Sequence, residues 1–188
     1  MSTKLPSAAS EMTVWRHDLN AHPQFGFELT RTAAFVADKL RSFGFDEVVE
    51  RGGRVGVGGT LRRGSAGRAI ALRIEELGDR PHRSRSPGLM HACGHDGHTA
   101  MLLGAAKLLA AEGGFDGTVR FLFQPAEEWG RGALAMLEDG LLERFPFDEV
   151  YGLPNWALGR CTSRWAARTT GPEPCTRRPT SRVASITC

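Results

Sequence analysis

The segment Met90-His91-Ala92-Cys93-Gly94-His95-Asp96-Gly97-His98-Thr99-Ala100 lies between a polar stretch and an apolar helical pattern. It contains three histidines, one cysteine and one aspartate. Thiolate and imidazole are the protein ligands that zinc and similar transition metals prefer. A single histidine near the start of a helix is usually a cap or a satisfied polar group, but three histidines with a cysteine are harder to explain in that way. The segment therefore predicts a metal site at the beginning of a helix.

Apolar patterns on both sides of this segment alternate between those of strands and those of helices. A continuous apolar run at 69–72 indicates a strand that is buried on both faces. The patterns after it indicate a helix, a strand, a helix and a strand, at about 97–111, 119–123, 132–142 and 148–153. Two amphipathic helices and an irregular strand precede it, at 11–21, 28–43 and 55–61. This alternation predicts an α/β fold with a mostly parallel sheet flanked by helices.

The composition indicates one globular domain at 11–158, with disorder expected at 1–10 and 159–188. The net charge of +3 arises from the tail, where residues 159–188 hold six arginines and one acidic residue. We therefore expect no nucleic-acid surface on the domain. The sequence has no apolar run as long as a membrane span and no signal pattern, so we expect a cytoplasmic protein that does not enter a membrane.

Polar segments follow the predicted strands at the points where ligands bind to parallel sheets, beyond the carboxyl ends of the strands. The histidine-rich segment follows the first strand, Glu127 and Glu128 follow the second, and residues 154–156 follow the third. We expect these segments to meet at one rim. Cys93 and His95 would then hold an ion with Glu128 as third ligand, which leaves Glu127 as a general base toward a metal-activated water. The alternative is that Glu127 and Glu128 form a solvated pair on a loop.

The remaining polar residues of the segment have several open roles. His91 and His98 could be further ligands, hydrogen-bonding residues that orient the ligands, or surface residues. We favour the orienting role, because a ligating imidazole usually needs its neighbours to hold it in place. Asp96 could orient His95 or cap the helix at Gly97.

These motifs resemble the amidohydrolase branch of the M20 metallopeptidase family, which contains hippurate hydrolases, N-acyl-amino-acid amidohydrolases and auxin-conjugate hydrolases. The resemblance rests on the sequences at 91–100 and 123–128 and covers most of residues 12–158. It implies a catalytic α/β domain with two divalent metals (zinc, manganese, cobalt or nickel) and a smaller lid and dimerisation domain. Carried over by motif, Cys93, His95 and Glu128 are metal ligands and Glu127 is the general base.

The sequence departs from the family pattern in four places. After Arg73 the family's acidic segment is shortened by roughly seven residues, about the length of a strand. Pro154 stands where the family has a ligand histidine, and Asn20 stands where a histidine is common. All six histidines precede residue 99, so the family's last ligand histidine has no counterpart. We therefore expect the N-terminal part of a truncated catalytic domain, which lacks the lid domain and ends in a frame-shifted or otherwise aberrant tail.

Two functions follow from this resemblance. The first is metal-dependent hydrolysis of the amide bond of N-acyl amino acids, which are small molecules, by a member of a family that is often homo-oligomeric. The second is an inactive, truncated remnant that binds one metal or none, because Cys93, His95 and Glu128 are too few ligands for two ions. An interaction protein that acts through its basic tail is a weaker third interpretation.

Overall fold

The structure, a computed structural model of the chain, describes residues 4–65, 69–74, 84–91, 94–153 and 163–165. These residues form five α-helices, six β-strands and one short 3₁₀ turn at Glu127–Trp129. In chain order the helices and strands are α1 (Lys4–Ala21), α2 (Thr30–Ser42), β1 (Glu47–Gly52), β2 (Gly56–Arg63), β3 (Ala69–Ile74), α3 (His95–Glu112), β4 (Gly117–Phe123), α4 (Gly132–Glu138), α5 (Leu141–Arg144), β5 (Glu149–Leu153) and β6 (Ser163–Trp165).

The six strands form one mixed sheet in the order β1-β2-β4-β3-β5-β6. The central strand β3 pairs in parallel with β4 and with β5, as the alternation of strand and helix predicts. The other three pairings are antiparallel, so the expected mostly parallel sheet is wrong outside this centre. Two of these three pairings arise because β1 and β2 form a hairpin, which adds to the edge of β4 without a helical crossover. The α/β class itself is confirmed.

The described core lies between the sheet and helices α1, α2 and α3. It contains apolar side chains from the three helices and from β2 and β4, among them Trp15, Leu40, Leu61, Leu103 and Phe121. In α2 the buried residues Val36, Ala37 and Leu40 recur at helical spacing and give the helix one apolar face. Helix α1 packs against α3, and α3 also contacts β3. This packing fixes the first turn of α3 at the rim of the sheet.

The predicted helix at 132–142 is two short helices in the structure. Helix α4 ends at Glu138 and α5 begins at Leu141. Between them Gly140 adopts a left-handed conformation with φ of 79°. A glycine takes this conformation without steric cost, which explains why the helix breaks there.

The two terminal segments that were expected to be disordered are described only in part. Residues 4–10 belong to α1 and residues 163–165 to β6, and the disorder expected elsewhere in these segments stays a prediction. The rest of the predicted tail, and the segment 154–156 that was expected at the rim, lie outside the described residues. None of the helices in the described part is long and apolar enough to cross a membrane.

Candidate metal centre

His95 is held at the rim of the sheet by the turn that opens α3. Gly94 adopts a left-handed conformation with φ of 71°, which a glycine accepts readily. Its carbonyl oxygen accepts a 2.9 Å hydrogen bond from the amide of Gly97. His95 is therefore the first residue of the helix, and its backbone carbonyl accepts a 2.8 Å hydrogen bond from the Thr99 hydroxyl.

Glu127 and Glu128 lie in the turn that follows β4. Ala126, the residue before them, is in the left-handed region at φ 47°. An amino acid other than glycine is strained in this region by about 1–2 kcal/mol. The turn is pressed against α4, because a Cβ atom on Gly132 would lie 1.5 Å from the carbonyl oxygen of Pro125. Strained backbone of this kind concentrates at functional sites, where the surrounding structure holds it in place.

The side chains of His95, Glu127 and Glu128 converge. The Nε2 atom of His95 is 3.1 Å from Oε1 of Glu128 and 3.3 Å from Oε2 of Glu127. One ligand atom from each residue lies within 4.8 Å of the other two. Two carboxylates at this separation repel each other, and a neutral imidazole Nε2 can donate its single proton to only one of them. A divalent cation satisfies all three groups, and the nitrogen and oxygen donors suit zinc, so the residues fit a metal.

The predicted ligand set is only partly within the described residues. His95 and Glu128 are brought together as predicted, and Glu127 lies beside them. Cys93, the other predicted ligand, lies outside the described residues. The distances do not show which glutamate is the metal ligand and which is the base, because both carboxylates lie at a similar distance from His95 Nε2. The assignment of Glu127 as base and Glu128 as ligand stays a prediction from the motif.

Asp96 makes neither of the two contacts expected of it in the described part of the chain. It is 1% exposed, and its Oδ2 atom accepts hydrogen bonds from Asn20 Nδ2 at 2.9 Å and from Arg16 Nε at 3.3 Å. No side chain caps the N-terminus of α3 among these residues. Asp96 thus joins α3 to α1, and its orienting role toward His95 stays a prediction.

The two remaining histidines of the segment lie close to His95. His98 is 2% exposed, and its ring centroid is 5.8 Å from that of His95. His91 is half-buried, and this burial lowers the pKa of its imidazole; the charge of Asp96 opposes the shift and that of His95 adds to it. Both positions suit residues that surround a ligand, while their orienting role stays a prediction.

A cavity of about 360 Å³ opens beside these residues. His95, Glu127 and Glu128 contribute to its wall, together with His91, Asp96 and His98. Most of the remaining wall is apolar and is formed by Phe25, Leu29, Val36, Val55, Val57, Leu102, Leu122 and Phe123. A pocket with a largely apolar wall and a few convergent polar groups is the usual form of a small-molecule site.

Two polar residues of the site, Arg16 and Asn20, were not predicted from the sequence as partners of Asp96. They are four residues apart on α1 and therefore lie on one face of that helix. This i,i+4 spacing was the available signal. It could not identify the partner, which is 76 residues away from Asn20 in the chain.

Comparison with known proteins adds independent findings. The sequence pattern of peptidase family M20/M25/M40 matches residues 71–165. The hippurate hydrolase of Campylobacter jejuni is 45% identical over 151 residues, which are 77% of this chain and 39% of that protein. The N-acyl-L-amino acid amidohydrolase of Geobacillus stearothermophilus is 40% identical over 157 residues, which are 79% of this chain and 42% of that protein.

Among solved structures, the YXEP protein of Bacillus subtilis, a dinuclear metal-binding peptidase from the M20 family, superposes with a TM-score of 0.72 at 32% identity. The superposition covers 80% of this chain and 44% of that one. The chain spans about two fifths of the length of the curated relatives that it matches.

Proposed function

Because the chain belongs to peptidase family M20/M25/M40, we propose that it is a metal-dependent amidohydrolase acting on N-acyl amino acids. The proposed metal ligands are Cys93, His95 and Glu128, and the proposed general base is Glu127. The observation that carries the proposal is the position of His95 Nε2, 3.1 Å from Glu128 and 3.3 Å from Glu127 on the wall of a cavity. The substrate class is taken from the names of the relatives, a hippurate hydrolase and an N-acyl-L-amino acid amidohydrolase.

The chemistry of the donor set supports the metal part of this proposal. One imidazole, one thiolate and one carboxylate make three protein ligands, the number typical of catalytic zinc sites that keep a position open. A divalent cation in such a site acts as a Lewis acid toward the substrate carbonyl and lowers the pKa of water. Zinc and manganese are the proposed ions.

Glu127 carries the proton transfers of the proposed reaction. Its carboxylate lines the same cavity as His95, within reach of a bound substrate. It takes a proton from the water that attacks the amide carbonyl carbon and then delivers that proton to the amide nitrogen. The C–N bond breaks, and the products are a carboxylic acid and a free amino acid.

A second candidate function is metal binding without hydrolysis. It is favoured by Pro154, which stands where the family pattern has a ligand histidine and has no side-chain donor for a metal. A centre with three protein ligands would then hold one ion where the YXEP protein is dinuclear.

The experiment that separates the two candidates measures zinc content and hydrolysis on the same samples. The purified chain is loaded with zinc, desalted, and assayed for amino acid released from a panel of N-acyl amino acids. We expect Glu127→Gln to retain zinc and lose hydrolysis, Glu128→Gln to lose both, and the exposed control Glu138→Gln to change neither. Zinc retention with no hydrolysis in the unchanged chain supports the second candidate. A chain that retains no zinc contradicts both.

A further inference from the structure

Three aromatic side chains and one glycine form a cluster beside the proposed metal centre, here called the aromatic clasp (Phe25, Gly26, Phe27 and Trp129). The first three residues lie in the loop between α1 and α2. The amide of Glu28 donates a 3.0 Å hydrogen bond to the carbonyl of Phe25, which closes a tight turn with Gly26 at φ 61°. The indole of Trp129 lies directly on this turn, because a Cβ atom on Gly26 would be 2.4 Å from its ring.

The rings of the clasp contact one another edge to face. The centroids of Phe25 and Trp129 are 5.3 Å apart at 88°, and those of Phe27 and Trp129 are 5.8 Å apart at 66°. The guanidinium of Arg54 lies 5.0 Å from the ring centroid of Phe27. The same loop is also tied to α2 by Gln24, whose side-chain oxygen accepts a 2.9 Å hydrogen bond from the amide of Thr32.

The clasp is ordered but not buried. Phe25 is 48% exposed and Trp129 is 50% exposed. Single exposed aromatic residues are common on protein surfaces. Here the turn at Gly26 and the hydrogen bond between Gln24 and Thr32 hold the loop that carries Phe25 and Phe27. Exposed apolar side chains that adjoin one another beside a cavity are a feature of ligand-binding grooves.

The position of the clasp relates it to the metal centre. Phe25 and Gly26 form part of the wall of the cavity that also contains Glu127 and Glu128. Trp129 is the next residue after Glu128 and belongs to the same 3₁₀ turn. A ligand whose scissile bond lies at His95 and the two glutamates therefore has the ring of Phe25 on the wall around it.

We propose that Phe25 determines the specificity of the site by contacting the acyl group of the substrate, and that it selects aromatic acyl groups over short aliphatic ones. This inference rests on the proposed function. Trp129 is a positioning residue in it, which holds Phe25 edge-on without lining the cavity. An aromatic acyl group gains an edge-to-face or stacked contact with Phe25 and covers its exposed face, whereas an acetyl group reaches too little of the ring to do so.

The test is a binding measurement that does not depend on turnover. Isothermal titration calorimetry of the zinc-loaded Glu127→Gln chain is carried out with N-benzoylglycine and with N-acetylglycine. We expect the benzoyl compound to bind about tenfold more tightly, the effect of one aromatic contact with its buried area. Phe25→Ala in this background should bring the ratio of the two affinities close to one and leave the affinity for N-acetylglycine unchanged.

The control variants separate positioning from stability. Trp129→Phe should retain most of the preference, because a ring remains against Phe25, whereas Trp129→Ala should reduce it. Val14→Ala, at a residue 65% exposed on α1, should leave the ratio unchanged. Equal affinities of the unchanged chain for the two ligands, or a preference that survives Phe25→Ala, would overturn this inference alone. Failure of the zinc-loaded chain to bind either ligand would overturn the proposed function together with it.

Discussion

The side-chain amide of Asn20 donates a 2.9 Å hydrogen bond to Oδ2 of Asp96, and this bond ties α1 to the helix that begins with His95. Arg16, one turn earlier on α1, contacts the same oxygen at 3.3 Å. The other oxygen, Oδ1, has no hydrogen-bond partner among the described residues. A buried carboxylate is costly unless it is paired and hydrogen-bonded, so α1 is required to hold Asp96 where it is. The position of His95 thus depends on a contact made by its neighbour in sequence.

Asn20→Ala is expected to destabilise the fold. It removes the buried hydrogen bond and leaves the carboxylate of Asp96 with Arg16 alone, which should lower the free energy of unfolding by about 1–3 kcal/mol. Urea unfolding followed by circular dichroism measures the change. Thr13→Ala is the matched control, because it removes an exposed hydrogen bond on the same helix. Equal shifts of the urea midpoint in the two variants would show that the buried hydrogen bond to Asp96 contributes no more to stability than the exposed one made by Thr13.

Zinc is expected to stabilise the folded chain. A ligand that binds only the folded state at 100 times its Kd adds about 2.7 kcal/mol to the free energy of unfolding. The melting temperature should therefore rise with zinc and fall back on addition of EDTA, and His95→Ala should abolish the rise. A rise of the same size in His95→Ala would mean that zinc binds elsewhere.

Glu128→Gln should change the free energy of unfolding in opposite directions with and without metal. Without metal, the substitution relieves the repulsion between two neighbouring carboxylates and should stabilise the chain by a few tenths of a kcal/mol, about the effect of like-charge pairs on helices. With zinc, it removes a ligand and should weaken metal affinity by more than about 100-fold, since changes outside the ligands alone cost roughly 10–100-fold. Urea unfolding in zinc and in EDTA measures both effects. Destabilisation of equal size in the two conditions would argue for a purely structural glutamate.

Gly26→Ala should disrupt the aromatic clasp. The new methyl group both forces an L-residue into a left-handed conformation, at about 1–2 kcal/mol, and collides with the ring of Trp129. Gly44→Ala is the matched control, because Gly44 also has positive φ, 78°, but open space around its Cβ position. We expect Gly26→Ala to cost more than Gly44→Ala in urea unfolding. In the Trp129→Ala background the collision is absent, so Gly26→Ala should there cost only as much stability as Gly44→Ala. If Gly26→Ala costs equally much with and without Trp129, the methyl group does not collide with the indole ring.

The central part of the fold could be predicted because its signals are local. The apolar run of β3 and the helical period of α3 mark these elements without knowledge of any tertiary contact. Strand β1 was missed because Val48 and Val49 are followed at once by Glu50 and Arg51, and its residues are half-buried or exposed. The antiparallel β1–β2 hairpin escaped prediction together with β1. The antiparallel pairing of β2 with β4 escaped prediction because it joins strands that are distant in sequence.

The convergence of His95, Glu127 and Glu128 could be predicted from topology, since the loops after parallel strands meet at one rim. The contact between Asp96 and Asn20 could not, because it depends on how closely α1 approaches α3. The aromatic clasp was missed because Phe25 and Trp129 are 104 positions apart in the sequence, and no periodic pattern connects a loop residue to a turn residue.

X-ray absorption spectroscopy at the zinc edge of the stoichiometrically loaded chain tests the metal centre most directly. We predict one sulfur scatterer at about 2.3 Å and nitrogen or oxygen scatterers at about 2.0–2.2 Å. The sulfur should disappear in Cys93→Ser, and the outer-shell scattering typical of imidazole should disappear in His95→Ala. A shell of oxygen atoms alone, or a spectrum that neither substitution changes, would contradict a metal bound by Cys93, His95 and Glu128.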